Sequence, residues 1–458
     1  MKNESLDRLI AYVSIRSVGG VSVFSGGAVI NHSTVGEFKS ASKDTHVGCG
    51  KLQQLGFEIE RVGPLSVRIA GPAKLFTKKL GVKFEKRESE TLTALGITPP
   101  WTPTLATSAK LLDTGMPEVE GIAFPEPVAL HAPSPNPPSP TYHHLKVPAP
   151  IVKALNAGPV HAQGIYGQTV RAAMIDSGFH WSHPYFVTRK YDLKVSLPLD
   201  NDRDANGHGT GESANLLAIA PKVRLHGLSM DDTIEAFQVA RDELAVQIIS
   251  NSWGSALDTD GPNGYWHPYW SLVQAEIALC VQQGIIVLFS GGNGGMSFTA
   301  SMPETISAGG VYIDKRGQKM ASDYASSFDS TRFPGQHVPE VCGLTGMKPR
   351  AIYITLPIPA ACEIDRSLGG RRFPDRDETS KRDGWGVFSG TSAACPMVAG
   401  VVALILSKHL GADLAEVRQR LYQAQDIALG QSAMGDPAGP GYDAATGYGL
   451  VDAERACA

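Results

Sequence analysis

The sequence has few cysteines, and their spacing excludes the usual cysteine-built sites. Its 458 residues include six, with no C-x-x-C pair among them: Cys49, Cys280, Cys342, Cys362, Cys395 and Cys457. This pattern argues against a zinc knuckle and against a dense disulfide framework. Cys342 and Cys362 could form a bridge in an oxidising compartment, but free thiols are the simpler expectation.

Long apolar runs and an excess of one charge are also missing. No run is long enough to span a bilayer, and a net charge of −4 gives no reason to expect a nucleic-acid partner. The polar N-terminus is not followed by the apolar core of a secretory signal, so the cytoplasm is the default expectation. With 42% apolar and 19% charged residues, the composition is typical of a globular protein with a large core.

The chain is too long for one ordinary domain, and its first part predicts a small α+β, ferredoxin-like domain at residues 1–96. Helical spacing of apolar residues between Leu6 and Val13 predicts an opening amphipathic helix. Strands are predicted at 57–62, 65–69 and 82–84, and Pro72 and Gly81 are expected to begin and end a helix.

A proline-rich linker is predicted next, at residues 97–148. Pro-Pro pairs and repeated Pro, Ser and Ala mark an extended segment in which apolar residues such as Phe124 and Leu130 stand alone. A segment of this composition is open to proteolysis.

Residues 149–458 alternate short apolar strands with helices. This alternation predicts a doubly wound, mostly parallel sheet flanked by helices. Ligands bind at the carboxyl ends of the strands in such sheets. Asp176, Ser252 and Asn293 each come at or just after such an end.

The stretch around Ser392 predicts the start of a buried helix. Gly390 and Thr391 lead into Ser392, and a run of small and apolar residues follows Pro396. Free N–H groups and the positive end of the helix dipole would face a negative charge that forms beside the serine. Ser392 is therefore a candidate nucleophile, although Ser is also a common N-cap of an ordinary core helix.

Four short motifs gain weight when taken together: Ile175–Asp176–Ser177–Gly178, Gly207–His208–Gly209–Thr210–Gly211, Ser290–Gly291–Gly292–Asn293–Gly294 and Gly390–Thr391–Ser392. Singly, each is weak evidence, because a carboxylate at a strand end or a glycine-rich turn usually has a structural role. Together they place an acid, an imidazole, an amide and a hydroxyl in that order on one sheet edge.

This set resembles the subtilisin-like serine proteases, the subtilases, from about Val147 to the C-terminus. The resemblance implies that Ser392 is the nucleophile, His208 the general base, and Asp176 the group that orients the imidazole. The Asn293 amide and the Ser392 N–H would stabilise the oxyanion.

The resemblance also implies a substrate-binding strand at Ser252, Trp253 and Gly254, with Gly291 and Gly292 beside it. A core aromatic is the alternative interpretation of Trp253. The chain departs from the family pattern at Gly211, where His is common, and at Ala393, where Met is common. Residues 322–385 are interpreted as a long surface insertion between the asparagine and serine motifs.

No cofactor is required for this chemistry. Asp200–Asn201–Asp202–Arg203–Asp204 resembles the start of an EF-hand loop, but Ala205 and Gly211 replace the glycine and glutamate that such a loop needs. Structural calcium is common in subtilases, yet no ligand set can be recognised here.

The N-terminal domain is similar to subtilase and sedolisin propeptides in Val67–Gly71, Lys74–Phe76 and Leu80–Val82. The implied partners are a protein or peptide substrate and the chain's own N-terminal domain as an intramolecular inhibitor. A permanent accessory domain is the alternative.

We therefore expect a self-processing serine endopeptidase that acts through an acyl-enzyme. The alternatives are a dedicated processing protease or peptide ligase for one partner, and a silent module that only holds peptides. An acid-range Ser-Glu-Asp enzyme is disfavoured, because His208 stands in a complete motif.

Overall fold

The computed structural model describes residues 8–25, 28–85, 102–104, 116–125, 142–198, 203–255 and 268–458. The chain divides into two compact units. Unit 1 contains residues 1–127, 232–238 and 259–283, and unit 2 contains residues 128–231, 239–258 and 284–458. All six cysteines are free thiols.

Unit 1 is built on a four-stranded antiparallel sheet in the order β2-β3-β1-β6. Two helices follow β1 and β3 in the chain, so the predicted small α+β domain is confirmed. The elements are β1 Leu9–Ile15, α1 Ser42–Gln54, β2 Glu58–Val62, β3 Val67–Gly71, α2 Ala73–Leu80, β4 Lys83–Glu85, β5 Thr102–Thr104 and β6 Val119–Ala123.

The predicted opening helix is wrong, because Leu9–Ile15 forms strand β1. This strand pairs with β3 on one side and β6 on the other. Its last five residues, Ala11 to Ile15, are all buried. A central strand covered on both faces carries a continuous apolar run, which shows no alternation and is easily mistaken for a helical pattern.

Helix α2 begins and ends at the proline and the glycine that the sequence predicted. Pro72 stands at the N-cap, and Gly81 closes the helix at φ 68°, in the left-handed region where glycine pays no Cβ penalty.

Part of the predicted linker belongs to folded structure. Within residues 97–148, β6 pairs with β1, and Ile122 and Phe124 are buried in the N-terminal core. β7, Leu145–Lys146, pairs with β18, Ile354–Pro357, in unit 2. Residues 119–123 and 145–146, which lie inside the predicted linker, thus pair with strands of the folded units, while most of the proline-rich stretch lies outside the described residues.

Unit 2 contains an eight-stranded sheet that confirms the predicted fold. Six strands in the order β13-β12-β11-β8-β10-β9 are parallel, β14 is antiparallel to β13, and β17 pairs with β13 in parallel. The strands are β8 Arg171–Asp176, β9 Asp192–Leu197, β10 Arg224–Ser229, β11 Ile248–Asn251, β12 Ile286–Ser290, β13 Thr305–Ile313, β14 Lys319–Ala321 and β17 Val341–Leu344.

Short strands and the remaining helices complete the described elements. The short strands are β15 Phe328–Asp329, β16 His337–Val338 and β19 Trp385–Val387. The helices are α3 Ala149–Ala154, α4 Ala157–Ala162, α5 Pro184–Arg189, α6 His208–Ile219, α7 Thr233–Gln238, α8 Pro268–Gln282, α9 Glu363–Leu368, α10 Thr391–Lys408, α11 Leu414–Leu421 and α12 Ala453–Ala456, with a π-helical turn at Val239–Glu243.

Helix α10 is the core helix of unit 2. Residues Thr391 to Leu406 are all buried, and the helix packs on α6 and on the sheet. Each aliphatic side chain buried in this way contributes about 1.5–3 kcal/mol to folding. Among the described residues, α10 is also the one helix long and apolar enough to cross a membrane, but 83% of its apolar window is buried inside the protein.

The interpretation of residues 322–385 as a surface insertion is wrong for much of its length. Strand β17 lies in the main sheet, and Tyr353, Leu356 and Ile358 are buried in the unit 2 core. The arginine-rich part of this segment favours a surface location, but the apolar residues before it form core strands.

Candidate active site

Asp176 ends β8 at the carboxyl edge of the parallel sheet. Its side chain is almost fully buried, and its Oδ1 accepts hydrogen bonds from the Ser177 N–H and from His208 Nδ1, both at 2.7 Å. A buried carboxylate needs such partners, since an unpaired charge in the interior is costly. The structure thus brings together the acid and the imidazole that the sequence predicted.

His208 is the first residue of α6. Gly207 precedes it at φ 98°, and the Asp204 carboxylate accepts from the backbone N–H groups of Gly207 (2.8 Å) and Thr210 (3.0 Å). Asp204 thereby satisfies N–H groups that a helix start leaves free. Because Nδ1 donates to Asp176, Nε2 of the neutral ring is left as the acceptor.

The electrostatic environment of His208 favours the imidazolium. Burial on its own lowers the pKa of His208, but the charge and hydrogen bond of Asp176, with Glu212 and Asp204 adding to them, raise it to about 9. Stabilisation of the imidazolium suits a group that must hold a proton during a reaction.

Ser392 is the second residue of α10 and lies in a nearly closed site, with 5% of its surface exposed. Its Oγ donates to the carbonyl oxygen of Ser252 at 3.1 Å, and the Ser252 hydroxyl donates to the Ser392 carbonyl at 2.8 Å. Within the described residues, no hydrogen bond joins Ser392 Oγ to His208, and the hydroxyl is bonded to Ser252 instead.

Asn293 follows β12 and is held by Thr391. Its Oδ1 accepts from the Thr391 N–H (2.9 Å) and the Thr391 hydroxyl (3.1 Å). Among the hydrogen bonds of the described residues, none uses Nδ2, so this amide remains available as a donor. A Cβ at Gly390 would lie 2.5 Å from Nδ2, which explains why glycine stands there.

Comparison with known proteins decides the family. The model of the subtilase family matches residues 167–449, more than half of the chain. The chain belongs to the subtilase family.

Two curated subtilases show how far the likeness extends. Subtilisin amylosacchariticus of Bacillus subtilis subsp. amylosacchariticus is 27% identical over 272 residues, which cover 59% of this chain and 64% of that protein. Subtilisin of Bacillus pumilus is 27% identical over 288 residues, covering 59% of this chain and 88% of that protein. The chain thus spans less than two thirds of the length of the first of these relatives.

The fold is also that of a solved subtilase structure. Fervidolysin of Fervidobacterium pennivorans, described as a keratinolytic enzyme related to subtilisin, superimposes with a TM-score of 0.61 at 14% identity. The match covers all of this chain and 62% of that one. At this identity the likeness concerns the fold alone.

Among the predicted substrate-binding residues of this subtilase, Ser252 contacts Ser392, and several polar groups of the others already have hydrogen-bond partners within the protein. The Trp253 side chain is fully buried, and its Nε1 donates to the Ile175 carbonyl, as the core-aromatic interpretation expected. The Gly291 N–H donates to Ala308, and the Gly292 N–H donates to the Thr391 hydroxyl. A substrate role for the backbone of 252–254 and 291–292 stays a prediction.

The departure from the subtilase pattern at Gly211 has a packing reason. A Cβ at this position would lie 2.5 Å from Cζ of Phe388. The Phe388 ring thus occupies the space that a larger residue at 211 would need. Ala393, the other departure, is fully buried in α10.

The sequence analysis missed three residues of the site, Asp204, Thr391 and Glu212. Asp204 was considered only as part of an EF-hand-like loop, yet Ser177 Oγ (3.0 Å) and Thr210 Oγ1 (2.6 Å) also donate to its carboxylate. The available signal for Glu212 was an acid within an otherwise small and apolar helix.

No metal centre is formed by the described residues. No group of three or more His, Cys, Asp or Glu side chains there is placed to hold a metal ion. The oxygens of Asp204 already accept from N–H and O–H groups, so this residue does not fit a calcium site. Asp200 to Asp202 lie outside the described residues.

Proposed function

We propose that the protein is a serine endopeptidase that cleaves peptide bonds through an acyl-enzyme. The observation that carries the proposal is the 2.7 Å hydrogen bond between Asp176 and His208 Nδ1, which leaves Nε2 free to accept a proton, together with the position of Ser392 in the first turn of α10. Family membership supports the same chemistry.

The proposed reaction uses each group for one step. His208 Nε2 takes the proton of Ser392 Oγ as the oxygen attacks the scissile carbonyl, and Asp176 stabilises the imidazolium that forms. The Asn293 Nδ2 and the Ser392 N–H donate to the oxyanion. His208 then protonates the leaving amine, and water activated by the same imidazole releases the acyl group.

We also propose that the N-terminal domain is an intramolecular inhibitor that is removed by self-cleavage. Within unit 1, its sheet contacts residues 232–238, which lie inside the stretch matched to the subtilase family. Tyr12 donates to the Asp232 carboxylate, and Arg68 Nε donates to the same group at 3.1 Å. Such contacts support a role in which the domain binds the family-matched part of the chain.

A fluorophosphonate probe tests the proposed activity. We expect covalent labelling of the purified, matured protein at Ser392 and cleavage of a mixed peptide library. Ser392→Ala should lose labelling and about 10⁶-fold of the rate, the loss known for the triad serine of subtilisin. It should also keep the chain at full length when it is purified alone.

The silent peptide-binding module remains the second candidate, because Ser392 Oγ is hydrogen-bonded to Ser252 instead of His208. Absence of labelling after removal of the N-terminal domain would favour it. Cleavage of only one sequence in the library would favour the dedicated processing protease, and amide formation with added amines would favour the ligase. Normal maturation of the Ser392→Ala chain would contradict self-cleavage.

A further inference from the structure

Glu212 is a buried acid one helical turn after His208. Its side chain has 0% exposure, and its Oε1 lies 3.9 Å from His208 Nε2. The other oxygen, Oε2, accepts from Asn215 Nδ2 at 2.7 Å. Oε1 has no hydrogen-bond partner among the described residues. An unpartnered carboxyl oxygen thus lies close to the ring nitrogen that would exchange the reacting proton.

The groups around Glu212 make His208 its cationic partner. Asp176 at the end of β8, Asp204 before α6 and the Cys395 thiol on α10 are the ionisable groups that act on this site. Strand β18, which also packs on α6, contains no ionisable residue, and Lys153 of helix α3, which packs on α6 as well, is exposed. No lysine or arginine in the described part of the chain forms an ion pair with Glu212, so a protonated His208 would be its cationic partner.

Burial makes Glu212 a weak acid. Removal from solvent raises the pKa of its carboxyl to about 8, against the opposing effects of His208 and Asn215. A buried charge that lacks a cation is costly, so ionisation of Glu212 and protonation of His208 favour each other.

We propose that Glu212 is a positioning residue that acts through His208: its buried carboxyl faces Nε2 and sets the pH range in which the imidazole accepts the proton of Ser392. This inference rests on the proposed endopeptidase function. The Glu212 carboxylate stabilises the imidazolium, so the ring becomes a free base only at higher pH. The enzyme is thereby biased towards alkaline conditions.

Glu212→Gln tests this, since the amide keeps the size of the side chain and an oxygen for Asn215. We expect the acid limb of kcat/KM to move down by about one to two pH units, the range typical of a lost neighbouring charge. KM should hardly change, because the Glu212 side chain is fully buried. Glu304→Gln, at another buried position before β13, is the matched control and should leave the limb in place.

An unchanged acid limb in Glu212→Gln would overturn the inference, and so would an equal shift in the control. The proposed function is judged separately, by fluorophosphonate labelling of the unmodified protein. If the Glu212→Gln variant is labelled normally by the fluorophosphonate and the acid limb of its kcat/KM profile is unchanged, only the role of Glu212 is contradicted.

A second measurement needs neither turnover nor a change at Glu212. In the Ser392→Ala chain, NMR of ¹³C-labelled glutamate and ¹⁵N-labelled histidine follows both groups directly. We expect the Glu212 carboxyl to titrate well above the ordinary value of about 4.3, with a simultaneous response of the His208 ring. An ordinary Glu212 titration without a response at His208 would contradict the inference even if Glu212→Gln does not fold.

Discussion

Ser252 and Ser392 are joined by two reciprocal hydrogen bonds, in which the hydroxyl of each donates to the backbone carbonyl of the other. Pro396 explains one of these bonds, the one that the Ser392 carbonyl accepts. In a helix the carbonyl of residue 392 would accept from the N–H of residue 396, which proline lacks. The Ser252 hydroxyl supplies the missing donor, so the segment predicted to bind substrate also anchors the helix that carries Ser392.

Ser252→Ala should therefore destabilise the protein by about 1–3 kcal/mol, the cost of leaving a buried carbonyl without a donor. The measurement is denaturant unfolding in a Ser392→Ala background, which prevents autolysis and keeps the backbone carbonyl. Pro396→Ala restores an N–H in the helix and should reduce the cost of Ser252→Ala to under about 1 kcal/mol. Equal costs in both backgrounds would show that Ser252 does not replace this helical bond.

Asn293→Ala should lower kcat by about 10²–10³-fold, or about 3–4 kcal/mol, with little effect on KM, because its Nδ2 is expected to bond only the charged intermediate. Asn293→Asp tests the donor function of Asn293 alone. A carboxylate at this position can still accept hydrogen bonds from Thr391, but it cannot donate one to the oxyanion. Steady-state kinetics should give a similar loss for both variants. Near-normal turnover by Asn293→Asp would assign the oxyanion to another donor.

The acid limb of kcat/KM should lie above the ordinary imidazole pKa of about 6.5 and towards the value of about 9 that Asp176 imposes on His208 despite burial. The sign follows from the mechanism, because only the neutral ring accepts a proton and activity therefore rises with pH through this pKa. The raised pKa of His208 also stabilises the folded protein. This contribution is fully present below about pH 6.5 and disappears as the pH rises through about 9.

Asp176→Asn tests whether Asp176 sets the position of this acid limb. It should cost about 10⁴-fold in kcat, as in other triads, and move the limb towards lower pH. A pH–rate profile of the unmodified protein with a limb at or below 6.5 would refute the stabilisation of the imidazolium.

Arg68→Met should weaken the N-terminal domain by about 3 kcal/mol or more, because it leaves Asp232 buried without its cation. Arg68 is 15% exposed and also contacts Glu60 and Glu235. Arg8→Met is the control, since Arg8 shares Glu60 but is 56% exposed and should cost under about 1 kcal/mol.

Hydrogen exchange of β1 and β3 in the Ser392→Ala chain measures both variants. A loss of protection in Arg68→Met alone is the expected result. Equal losses would assign the stability of the domain to its apolar core instead of to this ion cluster.

The sequence predicted the parallel-sheet fold well because its signals are local. Strand ends and glycine-rich turns fix the positions of Asp176, His208 and Asn293, and the parallel sheet brings the strand ends to one edge. The hydrogen bond from Ser252 to the carbonyl exposed by Pro396 could not be predicted, since it joins residues 140 positions apart.

Other failures had physical causes of their own. The covered strand Leu9–Ile15 lacks the alternation that identifies a half-buried strand. Glu212 resembles any acid on a helix, and only tertiary packing shows that it is buried beside an imidazole. Val119–Ala123 is separated from its partner strand Leu9–Ile15 by a long stretch and carries little pattern of its own.

Strand Val119–Ala123 is an edge of the N-terminal sheet and hydrogen-bonds only to Leu9–Ile15 within it. The position of a cleavage in this part of the chain would therefore decide which strands are released. A break between 105 and 115 would leave strand Val119–Ala123 covalently attached to the C-terminal part of the chain, whereas a break between 126 and 141 would separate all four strands of this sheet from it in one piece.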